Sequence, residues 1–478
     1  MPDDSLTKTR EGPAPRKGDA AAAPLDPAWH YHLLGIGGIG MSAVAEILHR
    51  RGFRISGSDT VESEAFARLA SLGIAVTVGH DPAVLAGANA VVYTPAVREE
   101  HPIWREVERR NLPRFHRTEV LAALLAGVKT LAVAGTHGKT TTTACLALAL
   151  HQAGLAPTAM IGGHVPQLGG ANTLLGSGDW AVVEADESDG SFVKLAPHGI
   201  LLTNVDADHL DFHGSLENLR EAFAGFLARL PADGLLVYCR DDLEATALAG
   251  RFACRKISYG CAPEAEVRVA VTGRKPGATS LRLTTSDGDR ALTVRLPGLH
   301  NAVNLAGVYA MGRAVGLSGE SLCKSLAEFR GVSRRQEFLG EVGGVRIFDD
   351  YAHHPAEIRA TLTAFRELYP EPITVVFQPH LYSRTALFAK EMAEALRPAT
   401  RIFLAEIYGA REAPIEGVTS GLILNALAGH PGAFPIAHWR EMAERVAAGD
   451  VPPGILITMG AGDIAGLGPL LLGRGAAQ

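Results

Sequence analysis

Gly135-Thr136-His137-Gly138-Lys139-Thr140 is a glycine turn that ends in a lysine and a threonine. Glycines let backbone N–H groups close around phosphate oxygens, and a helix starting at the turn adds partial positive charge. Lys139 can reach terminal phosphates and Thr140 can offer a hydroxyl to Mg²⁺, with Thr141 next in line. The turn is two residues shorter than the common G-x-x-x-x-G-K-[ST] spacing, so its flanks have to supply the context. Glu184-Ala-Asp-Glu-Ser-Asp189 offers a carboxylate that could face this loop and hold a cation; Glu184, nearest the strand end, is the candidate, and Asp186, Glu187 and Asp189 read as a solvated acidic turn. Asp208-His209 stands among further acidic and histidine residues, so His209 is a candidate ligand for a second divalent ion, while His213 reads as structural.

Other groups fit other tasks. Gly35-Ile-Gly37-Gly38-Ile39-Gly40 matches G-x-G-x-x-G, and Asp59, beside Ser58, follows the last glycine by 19 residues. This pattern suits a dinucleotide, but the same turn cradles any diphosphate, a UDP-sugar included. His300, Asn301 and Asn304 open an apolar helix, where amide side chains offer donor and acceptor to an adenine edge. Asp349-Asp350-Tyr351-Ala-His353-His354-Pro355 is dense in titratable groups, and one of its histidines could orient or deprotonate an amine. His380 and Arg384 lie in Gln378-Pro-His-Leu-Tyr-Ser-Arg384, whose guanidinium suits bidentate carboxylate binding.

These groups need parallel strands to carry them. Apolar runs at Tyr31–Leu34, Ala90–Tyr93, Thr130–Ala134, Trp180–Glu184, Gly199–Thr203, Gly234–Tyr238, Arg346–Asp349, Ile373–Phe377, Arg401–Ala405 and Gly454–Met459 alternate with helical patterns. Each candidate group just past a run sits at the carboxyl edge, where open α/β sheets bind ligands. Glu264 to Leu296 alternates polar and apolar residues and predicts an antiparallel patch; Gly331 to Arg335 is a candidate boundary. The expectation is a three-domain α/β chain: a Rossmann-like N-terminal domain, a central P-loop mononucleotide-binding domain with a mainly parallel sheet plus the antiparallel patch, and a Rossmann-like C-terminal domain.

Bulk properties agree. A chain of 478 residues is too long for one core. A net charge of −6 excludes the broad basic surface of non-specific nucleic-acid binding. Five cysteines without C-x-x-C spacing fit free thiols in a reducing, cytoplasmic setting. No apolar run is long enough to insert in a membrane, and residues 1–28 read as a disordered extension.

Taken together, seven ordered segments resemble the Mur ligase family, the ATP-dependent amide-forming enzymes of peptidoglycan synthesis. They are Gly35 to Ser42, Gly135 to Thr140, Glu184 to Asp189, Asp208-His209, Pro297 to Asn301, Asp349 to Pro355 and Ala410-Arg-Glu-Ala-Pro414. The resemblance implies a UDP-sugar-binding domain over 29–127, an ATP-binding domain over 128–333 and an amino-acid-receiving domain over 334–478. It implies L-alanine joined to the carboxylate of UDP-N-acetylmuramate through an acyl phosphate, with ATP and Mg²⁺, two ions, as cofactors. By the same likeness Lys139 and Thr140 hold phosphates and the first ion, Glu184 bridges the ions and His209 ligates the second. Gly135 to Thr141, His300, Asn301, Asn304, Asp350 and Arg335 contact the nucleotide, Arg335 at the γ-phosphate. His353 stands near the attacking amine and Arg384 at the amino-acid carboxylate. Tyr351 and His380 face substrate, while Gly37, Gly38, Ile39, Gly40, Ser58 and Asp59 face UDP.

Two departures within the family are informative. No lysine lies between Lys194 and Lys256, which matches the branch lacking a carbamylated metal-ligand lysine. Leu381 stands where the alanine-adding branch has arginine, which bears on amino-acid selectivity. Three other readings compete: a nicotinamide-dependent oxidoreductase, which leaves Lys139, Glu184 and His209 without purpose; a non-catalytic nucleotide-binding regulator; and a ligase attaching a recycled peptide to the same sugar nucleotide.

Overall fold

The computed structural model describes residues 25–410 and 412–473, and three sheets divide them in chain order. Residues 1–24 of the expected extension, and Arg411, lie outside the described residues.

The first sheet is parallel, in the order Ala75–Val78, Arg54–Asp59, His30–Leu34, Ala90–Tyr93, Arg114–His116. His30–Leu34 is buried along its whole length, as a central parallel strand covered on both faces must be. The second sheet has ten strands. Lys129–Ala134 lies between Gly199–Leu202 and Trp180–Glu184, parallel to both. Leu235–Cys239 and Arg255–Gly260 extend the parallel part, and the predicted antiparallel patch forms from Val267–Lys275, Ala278–Thr285 and Gly288–Val294. The third sheet orders Glu337–Val342, Val345–Asp350, Gly454–Met459, Ile373–Phe377, Arg401–Leu404 and Ala433–Pro435, parallel except for the first strand.

That first strand is absent from the sequence reading. Gly343 and Gly344, with φ of 58° and 77°, form a two-residue turn between it and Val345–Asp350, and paired positive φ values are what tight hairpins need.

One apolar core joins the first sheet to one face of the central sheet, running from Tyr31 and Leu33 through Ala132 and Val183 to Phe223. The opposite central face packs on helices Lys139–Gln152 and Leu299–Ala314. Helix Lys139–Gln152 is buried from Thr140 through Leu150, because sheet and neighbouring helices enclose it. It begins at Lys139, two residues before the predicted start at Thr141, so the lysine and threonine sit in its first turn. No helix of the described residues is long and apolar enough to cross a membrane.

Candidate active site at the three-domain junction

Lys139–Gln152 starts from Gly138, whose φ of 82° is left-handed. A Cβ there would come within 2.8 Å of the Asn304 side-chain amide, so two requirements favour glycine. The helix has no side-chain cap, which leaves its first-turn N–H groups to a phosphate. The Lys139 ammonium donates to Gly135 O at 2.6 Å, Thr136 O at 3.0 Å and Glu187 Oε1 at 2.9 Å.

Glu187 corrects the sequence reading. Its side chain is 0% exposed and forms an ion pair with Lys139, so it is no solvated turn residue. Burial pushes its carboxyl up to about 7, against the pull of the ammonium. Asp189 is likewise engaged: it lies 3.4 Å from His116 Nε2, and the His116 and Ser191 hydrogen bonds outweigh burial to hold its carboxyl low. No local pattern separates these carboxylates from Asp186, which is less enclosed; their burial depends on how the loop folds over the lysine.

Glu184 behaves as expected of a residue facing the loop. It accepts from Thr140 Oγ1 at 3.0 Å and from the Gly162 N–H at 2.8 Å. Burial and neighbouring Asp186 raise its carboxyl pKa. His209 follows Asp208 with φ of 54°, its Nε2 4.0 Å from Glu187 Oε1. Burial lowers its pKa, favouring the neutral ring that can bind a metal. Hydroxyl, carboxylate and neutral imidazole at one mouth are a donor set that fits a small divalent cation. His213 is structural as expected, its Nε2 2.9 Å from Glu187 O.

All three domains line one cavity of about 390 Å³. Ile39, Gly40 and Arg117 come from the first domain, Thr136, Lys139, Thr140, Glu184 and His209 from the second, and Arg335, Tyr351, His353, His380, Leu381 and Arg384 from the linker and third. A second cleft of about 260 Å³ adjoins it, lined by His137, Gly138, Thr140, Thr141, His300, Asn301, Asn304, Arg335 and Asp350. Asp350 is buried, accepting from Thr361 Oγ1 at 2.9 Å, and burial raises its carboxyl to about 6.

Four residues predicted to face UDP line neither cavity. Gly38 caps helix Ile39–Arg50, and the Gly37 N–H donates to Asp59 Oδ2 at 2.8 Å. The Ser58 hydroxyl is buried between His32 Nε2 at 3.0 Å and His80 Nδ1 at 2.8 Å. Gly135 also stands behind the cavity wall, offering its carbonyl to Lys139.

On the C-terminal side, His353 Nδ1 lies 2.9 Å from Tyr351 O, so Nδ1 carries the proton and Nε2 keeps its lone pair. Burial lowers its pKa to about 4. Arg384 is 6% exposed and its Nη2 donates to Asp208 Oδ1 at 2.7 Å across the domain boundary. Both guanidiniums of Arg334 and Arg335 stack on Tyr351, at 5.0 and 4.9 Å.

Missing from the sequence reading is Glu357, which faces both cavities. Its position, three residues after the helix-capping His354, is a capping-box signature, but its contacts to the central domain are not readable from spacing.

Family models match in register with the three sheets: "Mur ligase family, catalytic domain" over residues 30–129, "Mur ligase middle domain" over 133–312 and "Mur ligase, glutamate ligase domain" over 334–462. The UDP-N-acetylmuramate--L-alanine ligase of Arthrobacter sp. (strain FB24) is 45% identical over 84% of this chain and 86% of its own length. The enzyme of the same name from Renibacterium salmoninarum is 44% identical over 94% of this chain and 96% of its own length. Among solved structures, the UDP-N-acetylmuramate-alanine ligase of Thermotoga maritima superposes with a TM-score of 0.80 at 29% identity, over 93% of this chain and 99% of that one. A murein peptide ligase of Psychrobacter arcticus shares the fold, with a TM-score of 0.71 at 22% identity over 93% of this chain and 98% of that one. A phosphate loop, an opposing carboxylate and a cationic C-terminal wall around one cavity, together with these matches along the whole described chain, make this protein a member of the Mur ligase family.

Proposed function

We propose that this chain joins L-alanine to the carboxylate of UDP-N-acetylmuramate, converting ATP to ADP and phosphate through an acyl-phosphate intermediate, in peptidoglycan precursor synthesis. The observation that carries this is the single cavity on which the phosphate loop, the N-terminal glycine turn and the Arg384 guanidinium converge. A carboxylate is a poor electrophile, so its phosphorylation supplies a leaving group, and two anions must first be brought together.

In this reading residues 29–127 receive the UDP-sugar, 128–333 hold ATP and 334–478 receive the amino acid. Lys139 and Arg335 offset the charge of the phosphates, and the first-turn N–H groups of Lys139–Gln152 orient them. Asn301, Asn304 and His300 line the adjoining cleft, where amide groups can read an adenine edge. Thr140 with Glu184, and Glu184 with His209, would hold Mg²⁺, two ions, which would supply positive charge against the transferring phosphoryl group. His353 Nε2, with its free lone pair, accepts a hydrogen bond from the incoming amine and orients it. Arg384 binds the amino-acid carboxylate through the donors that Asp208 leaves free. Ile39 and Gly40 of the glycine turn border the diphosphate, and Asp59 holds the turn through the Gly37 N–H. Five cysteines without a disulfide suit a cytoplasmic enzyme.

Phosphate release from ATP with UDP-N-acetylmuramate and Mg²⁺ tests the reading, with L-alanine, L-serine, glycine and a recycled tripeptide as acceptors. Release driven by L-alanine is expected. Release with the tripeptide alone would move the acceptor, and none with any acceptor would leave a nucleotide-binding regulator.

A further inference from the structure

Glu357 belongs to helix Pro355–Leu368 of the C-terminal domain, yet its carboxylate stands on the wall shared by the nucleotide cleft and the junction cavity. Oε1 lies 3.5 Å from His137 Nδ1, in the phosphate loop, and 3.6 Å from Arg335 Nη1, in the linker. Oε2 accepts from the backbone N–H of His353 at 3.1 Å and of His354 at 3.3 Å, and lies 3.6 Å from His353 Nδ1. Glu357 therefore touches the loop, the γ-phosphate arginine and the amine-side histidine at once. Asp206 on the other side of the His137 ring, 3.4 Å from Nε2, favours the imidazolium.

A carboxylate in this place would by itself repel a triphosphate. The cations His137 and Arg335 flank it and offset the charges of Glu357 and of Asp206, so the cluster is balanced while Glu357 fixes the directions of both cations. We propose that Glu357 is a positioning residue that couples the seating of the C-terminal domain to the geometry of the phosphate loop, through His137 on one oxygen and the His353 segment on the other. The proposal rests on the ligase reading above. With the C-terminal domain seated, the loop is tethered by its third residue and Arg335 is aimed; with the domain displaced, both are released.

Glu357→Gln tests this because glutamine still serves the capping box at the helix start, so it removes charge and not the cap. Glu357→Gln, His137→Gln and the double variant are compared in full-length protein, by phosphate release and by amide hydrogen exchange of residues 135–140 without nucleotide. Each single variant is expected to lower kcat about 30-fold, the double to fall no more than about 3-fold below the worse single, as coupled sites do. KM for UDP-N-acetylmuramate stays unchanged, and loop exchange rises several-fold in Glu357→Gln. Losses that multiply in the double variant, or unchanged loop exchange in Glu357→Gln, would overturn the coupling. Should the wild type release no phosphate with any acceptor, the ligase reading fails, and loop exchange still decides whether Glu357 restrains the loop.

Discussion

Lys139 and Glu187 show what one residue contributes and what sequence reveals of it. Lysine after glycine at a strand-to-helix turn is legible, because few other arrangements need that order. Its buried carboxylate partner is not, since Glu187 shares its hexapeptide with acidic residues less enclosed than itself. Lys139→Ala removes both the phosphate-binding cation and the partner of a 0% exposed carboxylate. It is expected to abolish phosphate release and to destabilise the fold by about 3–5 kcal/mol, since breaking a buried pair strands its partner. Lys139→Ala/Glu187→Gln then separates the two effects: thermal stability returns and turnover does not. Recovery of turnover in the double variant would show that the ammonium serves the fold and not the phosphates.

Elements were the most legible scale. Trp180–Glu184, Ile373–Phe377 and Gly454–Met459 have the residues assigned from hydrophobic runs alone, because parallel strands buried on both faces leave continuous apolar segments. One edge strand of the third sheet is not legible: Glu337–Val342 is half exposed, Glu337 and Glu341 interrupt its apolar residues, and only its Gly343-Gly344 turn marks it. At the junction of strand and helix, Gly138→Ala places a methyl in the left-handed region and against Asn304. We expect a loss of about 1–3 kcal/mol in thermal or urea unfolding, with weaker ATP affinity measured by titration. Unchanged affinity would mean that Asn304 does not depend on the loop for its position.

The junction of the three domains is a property of the whole molecule, and spacing could not supply it: Asp208 and Arg384 are far apart in the chain, and their pairing follows from how two sheets present their carboxyl edges to each other. Two ionic links join the central and C-terminal domains beside the site, and they differ in pH response. His137, between Asp206 and Glu357, is half-buried, and the hydrogen bonds to these carboxylates outweigh its desolvation and raise its pKa to about 9. A histidine whose folded pKa exceeds its unfolded value stabilises fully below the unfolded value, and the contribution is lost as pH rises through the folded one. The melting-temperature advantage of wild type over His137→Gln is therefore present at neutral pH and disappears above about pH 9; an advantage constant to pH 10 would contradict the assignment. Asp208, by contrast, is held ionised by Arg384, far below the ordinary carboxylate range, so this link persists across that range. Arg384 gives Nε and Nη2 to Asp208 and keeps Nη1 toward His380, so Asp208 aims the guanidinium. Asp208→Asn retains an acceptor and removes the charge. It should raise the KM for L-alanine more than 10-fold, on the order of the 2–5 kcal/mol cost of truncating a buried charge pair, while leaving the KM for ATP within about 3-fold. Loosened from the central domain, the C-terminal domain also swings more widely, so small-angle scattering of ligand-free Asp208→Asn should give a larger radius of gyration than wild type. A normal radius with a raised alanine KM would confine Asp208 to aiming Arg384, and two unchanged values would remove it from both roles.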